Sequence, residues 1–391
     1  MALTTRPAPP DPTRVADQYE MVVLQPTSFC NLDCRYCYLP LRKQRLEMHP
    51  GIAAAVAADV ALQDADHKVI VLWHSGEPTA IGPVKFRELL APFEALRKAG
   101  RVRHSIQTNA TLITDEWCRL FAEYDVQVGV SLDGPAFANS ERVNLAGRPA
   151  FDQITAGITR MKAAGIDVSV IAVITPATVH QGTEIIAFLD GIGFEQIGFN
   201  LEEIEGANAG RPMIGDEDAR QFWRDVIGYC QTAAVPPNVR ELGSLARRLR
   251  ANTEPGRDVL PTVTYDGDII LVSPELAGTI APEHQDFVVG NVRFETIQSV
   301  LRRHHEIPYV AAFEHGLTMC RDTCPFWATC FGGYASNRYC EQGRFDITET
   351  QHCRGTRQAL VLAVLDTADP DTDRELITTV HTITRGEIHG H

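Results

Sequence analysis

The chain has little of what would carry it into or across a membrane. No apolar run approaches the roughly 20 residues that span a bilayer, and residues 1–17, rich in proline, lack the apolar middle of a secretory signal. Basic charge is also scarce: 36 Lys and Arg stand against 50 Asp and Glu in 391 residues, a formal charge of −14. That balance argues against non-specific nucleic-acid binding, whose usual footprint is basic, and favours a peptide or small-molecule partner. No internal repeat is visible. Hydrophobic content of 44% and charged content of 22% are those of a globular protein, expected to be cytoplasmic. Residues 1–17 read as a mobile leader and 369–391 as a polar tail with solvated His381, His389 and His391.

Cysteine is what the chain does have: ten, without an export signal. Cytosolic thiols stay reduced, so clustered cysteines point to metal rather than to disulfides. Cys30, Cys34 and Cys37 form one group, and Cys320, Cys324, Cys330, Cys340 and Cys353 a second. Cys118 and Cys230 sit alone in helical patterns and read as small buried hydrophobes. Three thiolates on one short loop leave a metal site one ligand short, and an open site does chemistry, whereas four thiolates close one. Zinc and iron–sulfur both take thiolates, so the first triad alone names neither.

Short apolar runs alternate with helical stretches through the first half. Strands are predicted at 20–26, 68–73, 103–107, 126–131, 167–173 and 196–200, and helices at 51–62, 84–98, 115–123, 151–164 and 183–189. Six such strands imply parallel βα units, in a doubly wound sheet or a partial barrel, with functional loops at the carboxyl ends of the strands. Beyond residue 205 the pattern predicts helices at 216–232, 241–251, 294–304 and 359–367, and a hairpin over 262–272 turning at Asp266-Gly267. Residues 320–353 show little periodicity but dense Gly, Cys and aromatics, as in a segment organised by metal rather than by a core.

Cys30-x3-Cys34-x2-Cys37, with Tyr36 before the last cysteine, resembles the cluster loop of the radical S-adenosylmethionine superfamily. The resemblance implies an α/β fold, a partial (β/α)6 TIM-like barrel over residues 18–205. It also implies a [4Fe-4S] cluster on the three cysteines, whose fourth iron takes the amino and carboxylate groups of S-adenosylmethionine. His74-Ser75-Gly76-Glu77-Pro78 is similar to the family's Gly-Gly-Glu-Pro loop, with Ser75 where a glycine is usual, and would meet the methionyl ammonium. Gln107-Thr108-Asn109 ends the third strand. Ser131-Leu132-Asp133-Gly134-Pro135, followed by Arg142, resembles a loop of peptide-modifying members, and Ser131 and Arg142 would bind the methionyl carboxylate. Ser75, Gly76, Glu77, Pro78, Asn109, Ser131, Asp133 and Arg142 are the cofactor-binding residues so implied. The cofactor's deoxyadenosyl radical would take a hydrogen atom from substrate. Glu202, Glu203 and Glu205 at the end of the sixth strand, and Asp266 in the hairpin, are the candidate bases.

Cys320-x3-Cys324-x5-Cys330 with Cys353 resembles the auxiliary-cluster part of the SPASM extension, which implies a second, closed [4Fe-4S] cluster on these four residues. Zinc on the same thiolates is the rival. The implied domain covers 261–368, joined to the barrel by a helical bridging segment, 206–260. A full extension carries two auxiliary clusters. Here Ser273 and Tyr334 stand where ligands of the nearer one are expected and Cys340 is out of register, so one auxiliary cluster is expected, with Cys340 a free thiol or a replacement ligand. Ser273-Pro274-Glu275-Leu276, Gly290-Asn291 and Thr348-Glu349-Thr350 are similar to enzymes that install cyclophane crosslinks in ribosomally synthesised peptides. The implied partners are a precursor peptide and an external electron donor such as flavodoxin or ferredoxin. Little room precedes Cys30 for a leader-binding domain, so precursor recognition is expected from the barrel, the 206–260 segment or a separate protein. A sulfatase-type formylglycine-generating maturase and a non-enzymatic metal-binding regulatory protein are the alternatives.

Overall fold

Val- and Ile-rich runs build one continuous sheet in the computed structural model, which describes residues 11–64, 66–250 and 259–369. In chain order the first half runs β1 (Met21–Leu24), α1 (Pro50–Leu62), β2 (Val69–Trp73), α2 (Pro83–Leu90), α3 (Glu94–Lys98), β3 (Val102–Thr108), α4 (Asp115–Tyr124), β4 (Gln127–Ser131), α5 (Phe151–Ala163), β5 (Val168–Ile174), α6 (Gly182–Ile192) and β6 (Ile197–Leu201). The six strands pair in parallel in the order β6-β5-β4-β3-β2-β1, the partial barrel that six βα units require. All six predicted strands are present. The helix expected over 84–98 is instead two, because Pro92 has no N–H to give the ladder and a 3-10 turn, Ala91–Phe93, intervenes.

The second half extends that sheet. After α7 (Asp216–Thr232) and α8 (Arg240–Arg250) come β7 (Thr262–Val263), β8 (Asp268–Ile270) and β9 (Gly290–Asn291). β7 lies parallel to β1, and β8 and β9 follow antiparallel. The hairpin turning at Asp266-Gly267 is therefore the continuation of the barrel's first edge, and the boundary expected at 261 falls inside a sheet. Helices α9 (Ile297–Arg302), α10 (Pro308–Thr323), α11 (Trp327–Cys330), α12 (Ala335–Gln342) and α13 (Ala359–Thr367) complete the chain. α13 packs along α7, clamping the last element to the barrel.

Three expectations need correction. The helix predicted over 294–304 shrinks to α9, since Thr296 caps it by accepting from the Ser299 N–H at 3.1 Å. Residues 320–353 hold more helix than their lack of periodicity suggests: Cys320 lies in the last turn of α10, Cys330 closes α11, and α12 follows. The latter two are too short to show a hydrophobic period. Residues 11–17 of the supposed mobile leader are packed, with Val15 buried, its N–H donating to Glu314 at 2.8 Å, and Arg14 paired to the same carboxylate. Residues 1–10 and the tail histidines His381, His389 and His391 lie outside the described residues. Among the described residues no helix is long and apolar enough to cross a membrane.

Candidate functional site

The loop leaving β1 carries Cys30, Cys34 and Cys37 at the carboxyl end of the parallel sheet. Cys30 Sγ receives the Leu32 N–H at 3.4 Å and the Asn109 amide at 3.7 Å. Burial pushes all three thiols up, Cys34 to about 11, so their ionisation needs a bound metal to offset desolvation. None of the ten cysteines is in a disulfide. Among the described residues no three His, Cys, Asp or Glu side chains converge on a single ion position. A four-iron cube, which takes each thiolate on a different iron, asks for no such convergence. Three thiols with N–H donors aimed at sulfur therefore fit a cluster with one open iron.

The loop after β2 presses against this one. Gly76 has φ +62°, and a Cβ there would fall 2.4 Å from the Thr27 carbonyl oxygen and 2.7 Å from that of Phe29, so only glycine fits. Ser75, buried and itself at φ 73°, leaves its Oγ without a hydrogen-bond partner. An orphaned buried hydroxyl suits the ammonium that the resemblance places here. Glu77 behaves otherwise. Its Oε1 accepts from Thr79 N–H (3.0 Å), Thr79 Oγ1 (2.6 Å) and Thr108 Oγ1 (2.6 Å), and its Oε2 from Asn109 N–H (2.7 Å), which leaves one acceptor direction on Oε2. It thus ties β2, β3 and the Pro78 turn together, with Oε2 the less occupied of its two oxygens.

Asp133 and Arg142 form a second knot. The Arg142 Nε and Nη2 donate to the two Asp133 oxygens at 2.9 and 2.8 Å, and Tyr36 Oη and the Val173 N–H complete the carboxylate at 2.7 and 2.8 Å. Both residues are buried. The Nε–Nη2 edge of Arg142, the residue expected to grip a ligand carboxylate, is held by Asp133, which fixes Tyr36, and hence the cysteine loop, against β4 and β5. Ser131 Oγ, at the end of β4, accepts from the Gln107 side chain at 2.9 Å.

Cys320, Cys324, Cys330 and Cys353 come together around one cavity, joined by Arg338. Burial raises Cys324 to about 11 and Cys353 to about 12. The Gly332 N–H reaches Cys330 Sγ at 3.3 Å. Cys340 does not line this cavity, and burial with the Glu275, Glu203 and Glu341 charges raises its thiol.

A chamber of about 560 Å3 lies between the end of β6, the Ser273–Leu276 turn and this second thiol group, lined by Glu203, Glu275, Tyr334, Arg357 and Cys330 among others. Of the four candidate bases, two reach this region. Glu203 lines the chamber, and Glu205 is buried behind it; Asn337 donates to them at 2.6 and 3.3 Å. Burial raises both, and the Glu203 and Glu275 charges push Glu205 up further. Glu202 turns away into an ion pair with Arg211, which also holds Glu141. Asp266 lines a separate groove and accepts from Thr264 Oγ1 at 2.5 Å. Glu275 takes that place. It accepts from Ser273 Oγ at 2.8 Å, and burial with the Glu203 charge lifts it to about 7. Val272 just before it holds φ 64°, a left-handed strain costly for a β-branched residue. Glu275 stood in a quoted motif, but its role depends on burial that no sequence pattern shows.

A partial barrel with three thiols after its first strand and a Gly-Glu-Pro turn after its second defines a radical S-adenosylmethionine protein. The Radical SAM superfamily model matches residues 24–189, and the chain belongs to that superfamily. It is 32% identical over 365 residues to an uncharacterized protein of Synechocystis sp., covering 88% of this chain and 91% of the relative. A serine-type anaerobic sulfatase-maturating enzyme of Bacteroides thetaiotaomicron is 31% identical over 214 residues, 51% of each chain, so this match spans about half of that enzyme. In fold, the chain is similar to anSMEcpe with bound AdoMet and Cp18Cys peptide (TM-score 0.73, 18% identity, covering 93% of this chain and 99% of that one). It is also similar to Streptococcus suis SuiB bound to precursor peptide SuiA (TM-score 0.63, 18% identity, 85% and 75%).

Proposed function

We propose that the chain is a radical S-adenosylmethionine maturase that crosslinks a side-chain carbon of a ribosomal precursor peptide to an aromatic ring, forming a cyclophane. One observation carries this reading: a single chamber is lined both by partly exposed carboxylates, Glu203 and Glu275, and by Cys330 of the second thiol group. When bound on Cys30, Cys34 and Cys37, the cluster and S-adenosylmethionine supply a deoxyadenosyl radical that removes a hydrogen atom, taken here from a β-carbon. Ring closure then requires the ring to lose one proton and one electron. Glu275 takes the proton, with Glu203 beside it; Cys320, Cys324, Cys330 and Cys353 would hold an iron–sulfur cluster, which would supply the electron acceptor. Asn109, Glu77, Asp133 and Arg142 hold the cysteine loop and exclude water. The peptides bound in the structural neighbours support a peptide substrate, and the electron that starts the reaction comes from a flavodoxin- or ferredoxin-type donor.

The similarity to a sulfatase-maturating enzyme favours formylglycine formation as a second reading. Against it stand Ser273 and Tyr334, where two-cluster maturases are expected to carry cysteine. Coexpression with a candidate precursor, followed by tandem mass spectrometry and aldehyde labelling, separates the two. Loss of two hydrogens with missing fragment ions across the modified motif supports the crosslink; an aldehyde at Cys or Ser rejects it.

A further inference from the structure

Arg338 is a buried cation with no carboxylate. It is 2% exposed and among the largest fully buried side chains of the molecule. Its Nη1 donates to the Phe345 carbonyl at 3.0 Å, and its Nη2 to the Gly332 carbonyl at 2.8 Å and to Cys320 Sγ at 3.2 Å. The Phe313 ring lies 5.1 Å from its Cζ. Among the described residues no Asp or Glu forms an ion pair with it, in contrast to Arg142, which has Asp133. Burying an uncompensated guanidinium is costly, and the cost is offset only by a negative charge close by. Among the described residues, the one source of such charge within hydrogen-bond reach is sulfur.

The fold makes room for this contact. Gly316 of α10 lies over the guanidinium: a Cβ there would come 2.0 Å from Nη1 and 2.5 Å from the Phe345 oxygen. A side chain at 316 would therefore displace Arg338 from the cavity. Gly332, at φ +90°, offers its carbonyl to Arg338 while its N–H reaches Cys330 Sγ, so one residue orients both the cation and a ligand.

We propose that Arg338 is the counter-charge of the four-thiol site and raises the reduction potential of the cluster held there, making it an electron acceptor. The proposal rests on reading Cys320, Cys324, Cys330 and Cys353 as iron–sulfur ligands. A one-electron reduction makes the site one unit more negative, and the electron comes from the ring radical of the substrate. A fixed positive charge in a low-dielectric interior stabilises the more negative state more, and hydrogen bonds to ligand sulfur act in the same direction. Arg338 is thus a positioning residue that acts through the cluster without touching substrate.

The test is an EPR-monitored redox titration of the reconstituted full-length chain carrying Cys30→Ala, Cys34→Ala and Cys37→Ala, which isolates the second site. Arg338→Met should lower the equilibrium constant for reduction at least tenfold, about 59 mV for one electron. Arg338→Lys should lower it less. Gly316→Ala, which keeps the arginine but pushes its guanidinium away, should shift the potential in the same direction. An unchanged potential in Arg338→Met at full iron and sulfide content overturns the proposal. Should that variant take up no cluster, unchanged potentials in both Arg338→Lys and Gly316→Ala overturn it equally. Zinc without sulfide in the parent would overturn the cluster reading beneath it, an outcome that metal analysis tells apart from an unshifted potential.

Discussion

The two cysteine groups use the same ligand atom in opposite electrostatic settings. Around Cys30 the donors are neutral, the Leu32 N–H and the Asn109 amide, and the nearby guanidinium of Arg142 is paired with Asp133. Around Cys320 a bare guanidinium touches sulfur. On the proposed reading, a site whose nearby cations are paired, as Arg142 is with Asp133 and Arg42 with Asp33, favours giving an electron away, and one beside an unpaired cation favours receiving one. On that proposal, charge placement, more than ligand count, separates the roles of the two sites.

The most severe way to break this contrast is to remove one ligand from each side. Cys34→Ala should reduce deoxyadenosine formation to the background without enzyme, whereas Cys330→Ala should leave deoxyadenosine formation intact and lower crosslinked product at least tenfold. Liquid chromatography of both products checks this; cleavage surviving in Cys34→Ala would reject the assignment.

Next in size is the base on the chamber. Glu275→Gln should slow product formation by about 10²–10⁴-fold with deoxyadenosine still made. Glu275 is raised from 4.5 to about 7, so the parent's product rate should rise with pH through about 7, and this limb should vanish in the variant. The sign for stability is opposite. A carboxyl whose folded pKa is raised contributes most below about 4.5 and loses that contribution as pH rises through about 7. Glu275→Gln should therefore melt above the parent at pH 8 and with it at pH 4.

Asp133→Asn leaves Arg142 buried without its counter-charge and should destabilise the chain by about 3–5 kcal/mol, measured by urea unfolding. The smallest effect belongs to Ser75→Gly. Relief of the left-handed φ, partly offset by the entropy of glycine in the unfolded chain, should raise stability by about 1 kcal/mol or less. A lower melting temperature would show that the Ser75 hydroxyl has a partner in the folded protein.

The six parallel strands were legible because Val/Ile runs separated by helical stretches have few other solutions, and the hairpin because Asp-Gly has a strong turn preference. Cys30, Cys34 and Cys37 were legible because a metal loop is local in sequence. The protein partners of Glu77 and Arg142 were not. Spacing marked both residues, but whether a carboxylate or a guanidinium faces a ligand depends on which protein groups reach it first. Thr79, Thr108 and Asn109 reach Glu77, and Asp133 reaches Arg142. Likewise Glu202 and Asp266 looked equivalent to Glu203 in the chain, and only an ion pair with Arg211 and a separate groove removed them.

The sequence by itself determined the strand order of chemistry along the chain: an open thiol triad first, turns that support it after each strand, and a second thiol group far downstream. Those are local properties, set by residue type and spacing. The tertiary structure alone decided which charges are cancelled and which stand uncompensated. Arg338 meets Cys320 across 18 residues and two helices, and Glu275 meets Glu203 across the sheet's two edges. Burial and Coulomb interaction are properties of the folded volume, so no one-dimensional pattern carries them.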